Sequence, residues 1–209
     1  MRTVNKEAKM WCQKAYAARS IELSKISLKT AQFFKRAVTL EINHDSPKFF
    51  DHFKDIFFTD ILKHYSNLKI IKVDLNEVFD VDKKTNVIDK ITQFPLKIQI
   101  EEVRVIRSMI NFKDLELMTN TSFLENVSKL CLSMNSIKDE DLIPLVGAKI
   151  LRNLKELDLS SNNLTDKGVE FLVNTENFHN LKSLSLSNNK IENKGMKTLA
   201  LAKTFPRLE

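Results

Sequence analysis

The chain has 209 residues, 43% hydrophobic and 29% charged, which suits one folded core or a short repeat array. Only 3 Gly and 4 Pro argue against a turn-rich all-β fold and against Gly-rich phosphate loops. The net charge of +6 is local: residues 1–40 hold 9 Lys/Arg against 2 Glu, which leaves −1 for residues 41–209. The body therefore lacks the basic face expected of a nucleic-acid binder.

Residues 5–36 carry Lys6, Lys9, Lys14, Arg19, Lys25, Lys29, Lys35 and Arg36 with few acids. Trp11, Ala15, Ala18, Ile21, Leu28, Ala31 and Phe34 recur mostly at three- or four-residue steps, which predicts helices. We read this segment as a basic helical N-terminal cap, since a repeat array needs a cover with one apolar and one polar face. A basic, acid-poor start is also the composition of a mitochondrial targeting segment, though Glu7 and the excess of Lys over Arg weigh against it. No apolar run reaches the length of about 18 residues needed to span a membrane.

From residue 37 an apolar pattern returns at intervals. Its first copies are irregular: Ala37, Leu40, Ile42 and Asp45, then Leu68, Ile71, Val73, Asn76 and Val78. Between them Phe50, Phe53, Phe57, Ile61 and Leu62 predict a longer helix. A third copy, Ile100, Val103, Val105, Ser108 and Ile110, lies 27 residues before the regular ones.

The regular copies begin at Val127-Ser-Lys-Leu130-Cys-Leu132-Ser-Met-Asn135-Ser-Ile137. The same LxxLxLxxNxL spacing recurs without gaps from Leu154 to Leu164 and from Leu181 to Ile191, each 27 residues after the last. In x-Leu-x-Leu both leucines point to one side of a strand, into a core. The Asn at the ninth position is placed to bond backbone groups where the strand turns away. One unit cannot bury its apolar face alone, so neighbours must stack. A helix pattern follows each strand: Leu164-Thr-Asp-Lys-Gly168-Val-Glu-Phe-Leu172 matches Ile191-Glu-Asn-Lys-Gly195-Met-Lys-Thr-Leu199 position by position. Thr165 or Asp166 is the expected N-cap, and Val169, Leu172 and Val173 the core-facing stripe. Asp139–Ile150 is the equivalent helix one unit earlier, with Leu145 in the place of Leu172.

These units resemble the leucine-rich repeats of the ribonuclease-inhibitor-like class and those of F-box leucine-rich proteins. The resemblance is strong over about residues 127–208 and weak back to residue 37. It implies an α/β solenoid: a right-handed curved array with parallel strands on a concave face, helices on a convex face, and partner binding. The domains then read as a cap over 1–36 and a repeat domain over 37–209, irregular over 37–126 and regular over 127–207. Trp11-Cys12-Gln-Lys14-Ala-Tyr16 also resembles the tail of an F-box, without that module's leucine-proline opening.

In this register the third, fifth, seventh and eighth positions of each unit leave the core. The C-terminal units present chiefly Ser and Asn there. The middle units present Lys72, Arg104, Arg107 and Lys129 interleaved with Leu75, Ile106 and Met134, beside Asp158. Exposed apolar residues grouped with Arg and Met mark contact surfaces. We read these eight residues as the candidate partner-binding patch. A one-residue shift of register in the irregular units would instead bury Ile106 and Leu75.

Catalysis is not expected. The sequence has no GxGxxG, GxxxxGK[ST], GxSxG or HExxH, and His44, His52, His64 and His179 form no diagnostic pairing. No metal ligands, cofactor or small-molecule substrate are read. Cys12 and Cys131 make no zinc-type or CxxC spacing, which suits a reduced, cytoplasmic setting. The expected role is a non-catalytic scaffold for a partner protein. The alternatives are an F-box-like substrate receptor of a ubiquitin ligase and a structural subunit of a ciliary or mitochondrial assembly. The last helix has no following strand before Phe205-Pro-Arg-Leu208-Glu209, so its apolar end is expected to be covered by a partner or by further sequence.

Overall fold

The computed structural model describes residues 20–22, 39–43, 69–74, 88, 92 and 99–209, with side chains described for 69–71, 88, 92 and 99–209. Trp11–Tyr16, Leu75, His44, His52, His64 and the predicted helix over 50–62 lie outside the described residues. So does the side chain of Lys72.

Among the described residues seven strands form one parallel sheet in chain order: β1 Ser20–Glu22, β2 Thr39–Asn43, β3 Ile70–Asp74, β4 Glu102–Ile106, β5 Lys129–Cys131, β6 Glu156–Asp158 and β7 Ser183–Ser185. The register joins the fourth positions into one column, Ile21, Leu40, Ile71, Val103, Leu130, Leu157 and Leu184. The irregular spacing upstream therefore changes the length of the connections and leaves the strand register unchanged. At Ser20–Glu22 the chain is strand where the three- and four-residue spacing predicts helix. Ile21, β-branched, falls in the fourth-position column of the register there, and β2 offers it a row of backbone partners.

Val103 and Val105 are fully buried while Arg104 between them is exposed, so the register read from the sequence holds in the third copy and Ile106 stays half-buried. The core continues through Leu130, Leu132, Leu157, Leu159, Leu164 and Leu172.

The connections are helical but uneven. Helices α1 Phe112–Thr119, α3 Asp166–Val173 and α4 Asn193–Ala200 are regular. The segment predicted as one helix over 139–150 is broken into a 3₁₀ turn at Asp139–Leu142, a short helix α2 at Ile143–Gly147 and a second 3₁₀ turn at Lys149–Asn153. Pro144 sits in the first turn of α2, where its missing N–H is tolerated, and it has no N–H to donate to a helix running through from Asp139. Thr165 is the N-cap of α3, its hydroxyl accepting from the Lys167 N–H. No helix among the described residues is long and apolar enough to cross a membrane.

Candidate partner-binding face

The ninth-position residues fix the edge where strand becomes turn. Asn162 donates through Nδ2 to the carbonyls of Leu132 at 3.0 Å and Leu159 at 2.9 Å, and its Oδ1 accepts from the N–H groups of Asn135 at 3.1 Å and Ile137 at 3.0 Å. Asn135 repeats the set one unit earlier, and Asn189 makes most of it one unit later. In the third copy Ser108 stands in this column, its hydroxyl donating to the Ile106 carbonyl.

One residue before this column the backbone is left-handed in every unit from the third copy onward: Arg107 (φ 46°), Met134 (φ 58°), Ser161 (φ 54°) and Asn188 (φ 54°). The sequence reading put the seventh and eighth positions on exposed strand. In the regular units the strands end at Cys131, Asp158 and Ser185, so these positions belong to the turn. The turns are themselves laddered, the Met134 N–H donating to Ser160 O and the Ser161 N–H to Ser187 O.

Arg104, Lys129 and Asp158 come together on the outward face of the sheet, around a depression of about 250 Å³ lined also by Glu102, Cys131, Glu156, Ser183 and Ser185. Arg104 pairs with Glu102, and Lys129 Nζ pairs with Glu156 Oε1 at 2.6 Å. The Glu102 partnership raises the Arg104 pKa further, and the Glu156 partnership raises that of Lys129. Asp158 Oδ1 accepts from the Ser160 N–H at 2.9 Å and from its hydroxyl at 2.6 Å. The Cys131 thiol donates to Asp158 Oδ2 at 3.4 Å. Burial pushes that thiol upward, so Cys131 is a protonated donor and not a ready nucleophile. The sequence reading placed Cys131 and Glu156 at outward positions but did not select them. Their position in the 27-residue register was the available signal.

Met134 is 52% exposed and lies beyond the end of β5, in the turn that follows Ser133. Met109 and Phe112 add further exposed apolar surface at the start of α1. Among the remaining sequence candidates, Ile106 and Arg107 are half-buried at the end of β4. His179 is an exposed turn residue whose ring lies 3.0 Å from Glu176 O. No group of three or more His, Cys, Asp or Glu among the described residues is arranged to hold a metal ion.

Stacked strand–helix units on one parallel sheet define a leucine-rich-repeat fold. Residues 151–173 and 179–200 match the family model described as Leucine Rich repeat. Similar solved structures include two that cover much of this chain. One is an internalin (inlF) from Listeria monocytogenes, 15% identical, TM-score 0.40, over 83% of this chain and 48% of that one. The other is Leiomodin-1 Actin-Binding Site 2, 20% identical, TM-score 0.43, over 63% of this chain and 77% of that one. The chain spans about half the length of the internalin. No curated protein matches the sequence.

Proposed function

We propose that this chain is a non-catalytic scaffold of the ribonuclease-inhibitor-like subclass, and that it holds a partner protein on a concave sheet face in a cytoplasmic setting. Leucine-rich repeats generally act in protein–protein interaction, and the helices between the strands favour that subclass. The contact surface is the middle of the array: Arg104, Ile106, Arg107, Lys129, Met134 and Asp158, extended upstream by Lys72 and Leu75.

One observation carries this reading. The eighth position is left-handed in every unit from the third copy onward, which costs a residue with a Cβ about 1–2 kcal/mol. Asn188 fills it with a side chain that tolerates the conformation. The middle units fill it with Arg107 and Met134, and Met134 leaves half its surface in water. Stability is given up there for a large exposed apolar side chain, as at contact sites.

Met134→Asn should therefore raise stability by about 0.5–1 kcal/mol in urea denaturation, since Asn suits the left-handed region and little buried surface is lost. The same variant, and Arg104→Glu with Arg107→Glu, should lose the partner in affinity capture from cells. Lys167→Glu on the helical side should keep it. Equal capture by all of these proteins would overturn the assignment of the face.

A further inference from the structure

The outward face carries an unbalanced charge pattern that says what kind of partner it fits. Around the depression two cations, Arg104 and Lys129, stand against three carboxylates, Glu102, Glu156 and Asp158. Each cation is already committed to a glutamate. Asp158 has no ion pair among the described residues. Its three hydrogen-bond donors, two from Ser160 and the Cys131 thiol, are all neutral. It is also half-buried, so water screens its charge less than that of a surface carboxylate.

The surroundings of Asp158 are asymmetric. On its N-terminal side stand the long side chains of Arg104 and Lys129. On the other side the register places Ser185 beside Asp158 and Ser183 beside Glu156. These four residues form a two-by-two set of oxygen acceptors lining the depression, two carboxylates and two hydroxyls, in which Glu156 already holds Lys129 and Asp158 carries the charge without an ion pair. A planar guanidinium or an ammonium matches that set of acceptors; an anion or an apolar group would leave Asp158 desolvated and unpaired. Met134, on the turn after β5, offers apolar surface one unit away.

We infer that the slot formed by Glu156, Asp158, Ser183 and Ser185 receives an arginine or lysine side chain of the partner protein, with a neighbouring apolar residue of the partner resting on Met134. The inference rests on the concave-face reading above and names the chemistry that the face selects. The occupant is thus a peptide or loop that pairs a basic with an apolar residue. The two flanking cations are already neutralised by Glu102 and Glu156, so the uncompensated charge of the face is the Asp158 carboxylate, which repels an acidic segment.

A displayed library of short random peptides, selected in parallel on the wild-type chain, on Asp158→Lys and on Met134→Lys, tests it. Wild type should enrich peptides with a basic residue at one fixed distance from an apolar one. On Asp158→Lys the basic position should be replaced by an acidic one, and the wild-type peptides should bind Asp158→Asn about tenfold or more weakly. Thermal unfolding of Asp158→Asn, whose shape is conserved, controls for folding. Peptides that lose binding on Met134→Lys but show no basic preference would overturn the slot and leave the face standing. Peptides indifferent to both substitutions, or no enrichment at all, would overturn both.

Discussion

A single asparagine side chain holds two turns together. Asn162 is buried, and its amide serves carbonyl groups of two successive units while its oxygen serves two N–H groups of the unit before. Removing it leaves several buried backbone groups unpaired, each costing about 1–3 kcal/mol. Asn162→Ala should cost about 3 kcal/mol or more in urea denaturation. Asn162→Asp should cost at least as much, because a carboxylate would face the carbonyls of Leu132 and Leu159 without a donor. A loss below about 1 kcal/mol in both would mean that water replaces the side chain. This column was legible in the sequence, because an amide recurring at 27-residue spacing just past a strand has few other uses. The left-handed backbone one residue earlier was not. Met and Arg carry no local preference for it, and the turn geometry imposes it on whatever residue falls there.

At the scale of the element, the starts of α3 and α4 are each tied to the unit before. Thr165 donates its backbone N–H to Asp139 Oδ1 at 2.8 Å and its hydroxyl to Oδ2 at 2.7 Å. The Glu192 N–H donates to Asp166 Oδ1 at 2.8 Å one unit later. The glycine of the helix motif makes room for this carboxylate: a Cβ on Gly168 would lie 2.5 Å from Asp139 Oδ1 and 3.4 Å from Leu164 Cβ. In an open helix Gly→Ala gains about 1 kcal/mol. Here Gly168→Ala should instead destabilise by about 1–3 kcal/mol, because Asp139 is buried and bonded to the backbone it would have to leave. Placed on Asp139→Ala, the same change should become neutral or favourable, a coupling that a double-mutant cycle in urea reads directly. Additive effects would show that Asp139 gives way freely. The sequence displayed the Asp-x-Gly pattern of α3 but not its partner, since the contact joins residues one unit apart. Over 139–150 the apolar spacing alone predicts one helix, and Pro144 divides it. Ser20–Glu22 shows the opposite failure, a helical spacing overruled by the open edge of β2.

Over the whole molecule, a parallel sheet built in chain order makes every unit depend on its two neighbours and on little else. The fold class was legible because the core repeats at fixed spacing. The candidate face was legible only as positions, since which outward residues pair with one another depends on lateral register. The same one-dimensional order gives chemically identical leucines different weight. Leu157 is 1% exposed, with Leu130 and Leu184 as register partners on either side. Leu184 occupies the same position of its unit, is half-buried, and has among the described residues a strand neighbour on one side only. Leu157→Ala removes atoms from a closed site that cannot collapse, at a cost of about 3–4 kcal/mol. Leu184→Ala removes the same atoms from a site open on one flank, where water already reaches, and should cost about 1–2 kcal/mol. Urea midpoints of the two variants at equal m-value measure the difference. Equal losses would mean that the outer flank of β7 is packed in solution as tightly as the inner one, and the nearest-neighbour account of this array would fail there.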